Sequence, residues 1–236
     1  MPAFTRHYPH WPPSAPKSLT VPHTGIHFNL EVSTWRYPQK TAITYYGGPL
    51  SYARLAQEVD ALAGFLQQRC GVARGDRVLL YAQNSPPQFI VGYYAILRTD
   101  AVVVPVNPVN KSNELAHYSR DSDARVALAA QELYREIEPH LGVGVAHCIL
   151  AAYFDYAREP GGLKVPDFVR APRLVPRRVD VTLWSDVIAA GCVPGTSLAG
   201  PDDLAVLPYT SGTTGLPKAG TSKVFRRKLQ EEENVK

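Results

Sequence analysis

The sequence predicts an α/β fold in which strands and helices alternate in layers around a largely parallel sheet. Three observations carry this. Short apolar runs recur, "DRVLLYA" (76–82), "AVVVPVNP" (101–108), "ARVALA" (124–129) and "AHCILA" (146–151), each the length of a buried strand. Segments with helical spacing or capping residues stand between them. The two kinds of segment alternate repeatedly, which is the pattern of a parallel sheet with helical connections.

Taken in order, residues 1–24 are rich in Pro and His and show no period. They read as an extended arm, laid over a domain or disordered, and the arm is bounded at 1–28. The spacing of His7, His10 and His23 fits no common metal site. From Asn29 a short helix-like start leads to a strand "TAITYY" (41–46) and a tight turn at "GGP". Ser51 is placed to cap the next helix. In it Leu55, Val59, Leu62, Ala63 and Leu66 form one apolar face, and Gly71 suits its end.

After the strand 76–82, Ser85 can cap and Pro86 suits the first position of a helix that is apolar on most sides and hence buried between layers. A polar helix over 112–121 follows the strand 101–108. A helix over 131–141 separates the next two strands. Residues 152–180, broken by Pro, Gly and Arg, read as a surface excursion. "VTLWSDVIAAG" (181–191) reads as an amphipathic helix and "DLAVLPY" (203–209) as a final strand. Trp35, Tyr45, Tyr93, Tyr94 and Trp184 are expected in the core, His117 on a solvated face, and Asp202-Asp203 in a turn entering a strand.

Composition narrows the partners. The 236 residues are 45% hydrophobic and 19% charged, enough to bury a core. The net charge of +4 is not gathered into a basic run with interleaved aromatics, so no nucleic-acid partner is expected. Cys70, Cys148 and Cys192 form no CxxC pair, and an odd count is no disulfide framework. A reduced, cytoplasmic setting follows. No apolar run approaches the ~20 residues of a membrane span, and the Pro-rich start lacks the apolar core of a signal peptide.

The chemistry concentrates in "TSGTTGLPK" (210–218). Gly212 and Gly215 let the backbone approach a ligand closely, so that successive N–H groups can line an anion-binding hollow. Thr210, Ser211, Thr213 and Thr214 can donate hydroxyl hydrogen bonds to phosphate oxygens, and Lys218 adds a positive charge. The ordinary P-loop is excluded. It needs Gly-Lys-Ser/Thr, and here Pro217 precedes the lysine and Ala219 follows it. No GxGxxG follows the first strands, which excludes a Rossmann dinucleotide site.

"LPYTSGTTGLPK" resembles the signature of the adenylate-forming (AMP-binding) superfamily, the acyl-CoA synthetases and their relatives. "LSYARL" (50–55), the block 75–108 and "DDLAVLPY" (202–209) resemble other stretches of that superfamily, so the likeness spans about 29–218. The overall tone is nearer to fatty-acyl and aryl-acid CoA ligases than to peptide-synthetase adenylation domains. One departure is Thr99-Asp100, where the superfamily usually has small residues, often Ala-Gly.

The resemblance implies the first part of the large N-terminal domain of an acyl-CoA synthetase. It also implies a two-step reaction. A carboxylate attacks the α-phosphate of ATP to give an acyl-adenylate and pyrophosphate, and a thiol, usually coenzyme A, then displaces AMP. Mg2+ offsets the phosphate charge. By position, contact with the β- and γ-phosphates falls to Thr210, Ser211, Gly212, Thr213, Thr214, Gly215 and Lys218, stabilising the leaving pyrophosphate. The resemblance assigns no catalytic residue and no metal ligand to this chain.

Members of that superfamily are much longer, and their adenine, ribose, magnesium and acyl sites follow the signature. The eighteen residues after Lys218 turn charged at once and resemble no continuation, so 219–236 reads as a frayed tail or one recruited for binding. The expectation is a truncated ligase, inactive alone, with carboxylic acid and CoA taken only by a full-length enzyme. The alternatives are a non-catalytic nucleotide-binding or interaction module that pairs with a full-length relative, or an inert fragment. A core cut in mid-domain exposes apolar surface and favours association. The loop 210–218 is expected to be poorly ordered.

Overall fold

The computed structural model describes residues 8–16, 18, 22–158, 164–210 and 218–219, with Thr210, Lys218 and Ala219 described by backbone alone. The first long element is α1 (Phe28–Arg36). β1 (Thr41–Tyr45) and β2 (Gly48–Ser51) then form an antiparallel hairpin. The strand read at 41–46 is present. The reversal, however, is made by Tyr46 and Gly47, whose φ angles are +41° and +75°, so Gly48 already belongs to a second strand that the reading missed. Ser51 caps α2 (Tyr52–Gln68), its Oγ accepting from the Arg54 N–H at 3.3 Å. Leu55, Val59, Leu62, Ala63 and Leu66 are all buried.

Five parallel strands make the main sheet: β3 (Arg77–Tyr81), β4 (Val102–Val106), β5 (Val126–Ala130), β6 (His147–Ala151) and β7 (Val181–Leu183), in the order β4-β3-β5-β6-β7. The chain leaves β3 through α3 (Pro87–Arg98) to β4 on one side. It then crosses through α4 (Ser112–Ser122) to β5 on the other. This reversal defines a doubly wound sheet. The strands are apolar on both faces, as a covered parallel sheet requires. Val78, Leu80, Leu128 and Ile149 pack with α2, α3 and, through Trp184 and Val187, with α7 (Trp184–Ala189). Leu79, Tyr81, Ala127, Cys148 and Leu150 pack on the other face with α4 and with α5 (Tyr134–Ile137).

Four expectations need correction. The helix read at 131–141 is broken into α5 and two flanking 3-10 turns, Gln131–Leu133 and Glu138–His140, because Pro139 has no N–H to continue the ladder. α3 starts one residue later than Ser85-Pro86 implied. Pro86 is extended (φ −67°, ψ 151°), since the residue before a proline is pushed out of the helical region. Residues 181–183 are a strand rather than the start of a helix, pairing along β6 from Cys148 to Leu150. Trp35 is 69% exposed, whereas Tyr45 and Trp184 are buried and Tyr93 and Tyr94 half-buried.

The excursion after β6 is tied to the fold more closely than its composition suggested. Tyr153, Val165 and, in the short helix α6 (Asp167–Arg170), Val169 are buried. Tyr153 holds the end of β3 by accepting the Gln83 N–H at 2.8 Å.

Candidate functional site

The segment that delivers the signature runs beside the outer edge of β4. Val103 donates its N–H to the Ala205 carbonyl at 2.9 Å and accepts from the Leu207 N–H at 2.8 Å, and Val206 bridges Val103 in the parallel sense. The ladder ends there for a chemical reason. Pro105 is the next outward-facing position of β4 and has no N–H to offer the Leu207 carbonyl. Of the strand read at 203–209, only its last residue is in a regular strand, β8 (Tyr209–Thr210). The parallel course carries residues 205–210 toward the carboxyl edge of the sheet. Ligands in open α/β sheets bind outside the carboxyl ends of the strands, at the point where the strand order reverses; here that point lies between β3 and β5, one strand in from β4.

Tyr209 fastens this segment to α4. Its ring packs on Tyr118 with centroids 4.4 Å apart, and its hydroxyl donates to Asp121 at 2.6 Å. Burial and the Asp121 carboxylate both push the Tyr209 phenol above its ordinary range. Tyr118 is held in turn by the Asn110 side-chain amide at 2.7 Å, and the Asn110 carbonyl accepts from Tyr81 at 2.5 Å. The reading of α4 as a polar helix overlooked this support. The spacing Leu115, Tyr118, Ser122, all buried, is the signal that would have found it.

β8 pairs antiparallel with β9 (Lys218–Ala219), Tyr209 facing Ala219 and Thr210 facing Lys218. The two ends of the predicted phosphate-contacting set therefore stand opposite each other. Ser211, Gly212, Thr213, Thr214 and Gly215 lie outside the described residues, as do the predicted disorder of the loop's interior and all but the first residue of the tail 219–236.

Upstream, two carboxylates hold the approach to this strand. Asp100 accepts from the Ser197 hydroxyl at 2.5 Å and from the N–H groups of Leu198 and Ala199 at 2.7 and 3.2 Å. Asp203 accepts from the Gly200 N–H at 2.8 Å and from Arg74, whose guanidinium spans both of its oxygens at 2.8–2.9 Å. The Gly200 N–H and then Arg74 hold the Asp203 carboxyl below its usual range. Asp203 thus does sit in the turn entering the strand.

Among the described residues no group of three or more His, Cys, Asp or Glu side chains is placed to hold a metal ion. A cleft of about 630 Å³ beside α2 and α7 lies away from the signature. The acids and bases that line it are paired with each other or with neighbours: Glu58 with Arg54, Asp155 with Arg173, Asp60 with Arg98. No described helix is long and apolar enough to cross a membrane.

The chain matches the family described as "AMP-binding enzyme" over residues 30–221. A long-chain-fatty-acid–CoA ligase of Bacillus subtilis (strain 168) is 30% identical over 217 residues, which cover 88% of this chain and 38% of that protein. One from Escherichia coli O6:H1 is 32% identical over 213 residues, covering 87% and 37%. Among solved structures, an anthranilate CoA ligase in complex with anthranoyl-AMP superposes with a TM-score of 0.69 at 22% identity, covering 84% of this chain and 35% of that one. A long-chain-fatty-acid-CoA ligase from Archaeoglobus fulgidus gives 0.62 at 24% identity, covering 86% and 37%. At such identity the superpositions establish the fold: this sheet corresponds to the N-terminal part of those enzymes. The 236 residues span well under half the length of each relative.

Proposed function

Because the chain belongs to the AMP-binding enzyme family, we propose that it contributes the phosphate-binding part of an ATP-dependent acid–thiol ligase. In this reading the enzyme converts a carboxylic acid, a fatty acid by likeness to its relatives, into an acyl-adenylate and then a CoA thioester. Residues 29–218 are the partial adenylate-forming domain, following the arm 1–28 and preceding the tail from 219. The observation that carries the proposal is the course of 205–210 beside β4, with Thr210 opposite Lys218, which supports a loop opening at the ligand edge of the sheet.

Each residue has a bounded task. Hydroxyls of Thr210, Ser211, Thr213 and Thr214 and the backbone at Gly212 and Gly215 donate to phosphate oxygens. Lys218 offsets the charge that grows on pyrophosphate as it leaves. Asp100, Asp203 and Tyr209 fix the strand that carries them. The reacting carboxylate and the thiol are held by parts that these residues do not supply, so the chain alone binds phosphate without completing turnover.

Two measurements on the 236-residue chain test this. Labelled ATP is to be displaced by inorganic pyrophosphate and resisted by adenosine; displacement by adenosine alone would contradict the phosphate assignment. Carboxylate-dependent exchange of pyrophosphate into ATP is to be absent, and measurable exchange would overturn the restriction to binding.

A further inference from the structure

The cleft beside α2 and α7, about 630 Å³ in volume, is lined by two ion pairs of one pattern. Glu58 and Asp155 have side chains only 4% and 11% exposed, whereas their partners Arg54 and Arg173 are 55% and 51% exposed. Each acid is engaged through Nε alone: Arg54 Nε donates to Glu58 at 2.6 Å and Arg173 Nε to Asp155 at 2.7 Å. Among the described residues the terminal N–H groups of both guanidiniums find no acceptor. The carboxylates therefore lie inward and the cations meet the cleft. Tyr156, next to Asp155 in the chain, donates to the other oxygen of Glu58 and so joins the two pairs. Asp60, also on the lining, is paired with Arg98 at 3.3 Å.

Local stability does not account for Arg54. It stands in the first turn of α2, where a cation opposes the helix dipole. It also precedes its acid by four residues, the weaker order for such a pair. A buried carboxylate costs about as much to desolvate as its cation returns. The lining includes an apolar stretch, Ala61, Ile188, Val193 and Pro194, and its last part is fixed in place. The Gln68 side-chain amide donates to the Val193 carbonyl at 2.7 Å, and the Gly195 N–H to Gln67 at 2.8 Å. The cleft is thus preformed and of the size of a small-molecule site.

We propose that this cleft binds an organic phosphate, its phosphate group on Arg54 and Arg173 and its body against Ile188 and Val193. A guanidinium held by Nε still presents its end-on pair of N–H donors, which matches two phosphate oxygens, and two such groups balance a phosphate dianion. A monocarboxylate would engage only one of them. The proposal does not rest on the ligase reading, and its test does not read activity.

The probe is phenyl phosphate, and the readout is Cys192, which lines the cleft half-buried. Its alkylation by N-ethylmaleimide in the 236-residue chain slows as phenyl phosphate is added, while Cys70, outside the lining, reacts at an unchanged rate. Inorganic phosphate protects at least about tenfold less well, for want of the apolar body. Arg54→Lys/Arg173→Lys keeps a cation for each acid but loses the planar forks. It raises the half-protecting concentration at least about tenfold with an unchanged circular dichroism spectrum. Val193→Glu, at a position 74% exposed, does the same by repelling the phosphate, which keeps the test decisive if the double lysine variant fails to fold. Lys218→Ala leaves the protection intact. No protection of Cys192 in the wild type, equal slowing at Cys70, equal protection by inorganic phosphate, protection unchanged in either folded variant, or protection lost in Lys218→Ala would each overturn the proposal.

Discussion

Asp100 adopts a φ of +60°, a backbone state that glycine enters freely and that Asp tolerates better than most residues. This explains the departure at Thr99-Asp100 from the small residues usual in the superfamily. The position demands a left-handed turn, and here its side chain also grips 197–199. Asp100→Gly should relax the backbone yet lower unfolding stability by about 1–3 kcal/mol through the lost charge-assisted hydrogen bonds. An unchanged urea midpoint would contradict the clamp. Tyr156 plays a similar part beside α2. Its hydroxyl donates to Glu58, whose side chain is 4% exposed, and accepts from the Trp184 indole at 3.0 Å. Tyr156→Phe leaves both groups short of a partner and should cost about 1–3 kcal/mol by the same measurement. Cys148 is wholly buried, and burial pushes its thiol up to about 12 from 9.0. The folded state therefore keeps a proton that the unfolded state releases, so its contribution is full below pH 9 and falls as pH rises toward 12. Near pH 8, alkylation of Cys148 should occur only at the rate of unfolding; rapid labelling of the native chain would refute its burial.

Elements were legible where local chemistry decided them. The capping hydroxyl of Ser51 and the i, i+3, i+4 apolar spacing marked α2, and unbroken apolar runs marked β3 to β6, because burial on both faces leaves no polar position in the run. The errors arose where distant pairing decided. Val181–Leu183 is a strand because β6 lies beside it, which no local pattern records. Trp35 looked like core by residue type, and only the packing of α1 shows which side is inward. The approach of α2 to the segment after α7 is equally non-local. A Cβ on Gly64 would lie 2.5–2.7 Å from the backbone of Cys192 and Val193. Gly64→Ala, worth about 1 kcal/mol in favour of an isolated helix, should instead destabilise this chain by a few kcal/mol through backbone displacement. A stabilised variant in thermal unfolding would contradict that contact.

For the whole molecule, the parallel order β4-β3-β5-β6-β7 brings one signature to one edge. The signature itself was the most legible part of the chain, since its specific order alone pointed to the AMP-binding enzyme family. Its supports were hidden: Tyr118 and Asp121 come from α4, Asp100 from the turn before β4 and Arg74 from the loop before β3, and their convergence is a property of the topology. In the function proposed above, this chain engages the phosphate end of ATP through 210–218. Calorimetric titration of ATP into the wild-type chain and into Lys218→Ala tests it most directly. Binding to the wild type should be saturable and weakened by at least about tenfold in the variant, the size expected on losing one charge-assisted contact to phosphate. Equal affinity in both, or no binding to the wild type, would contradict it.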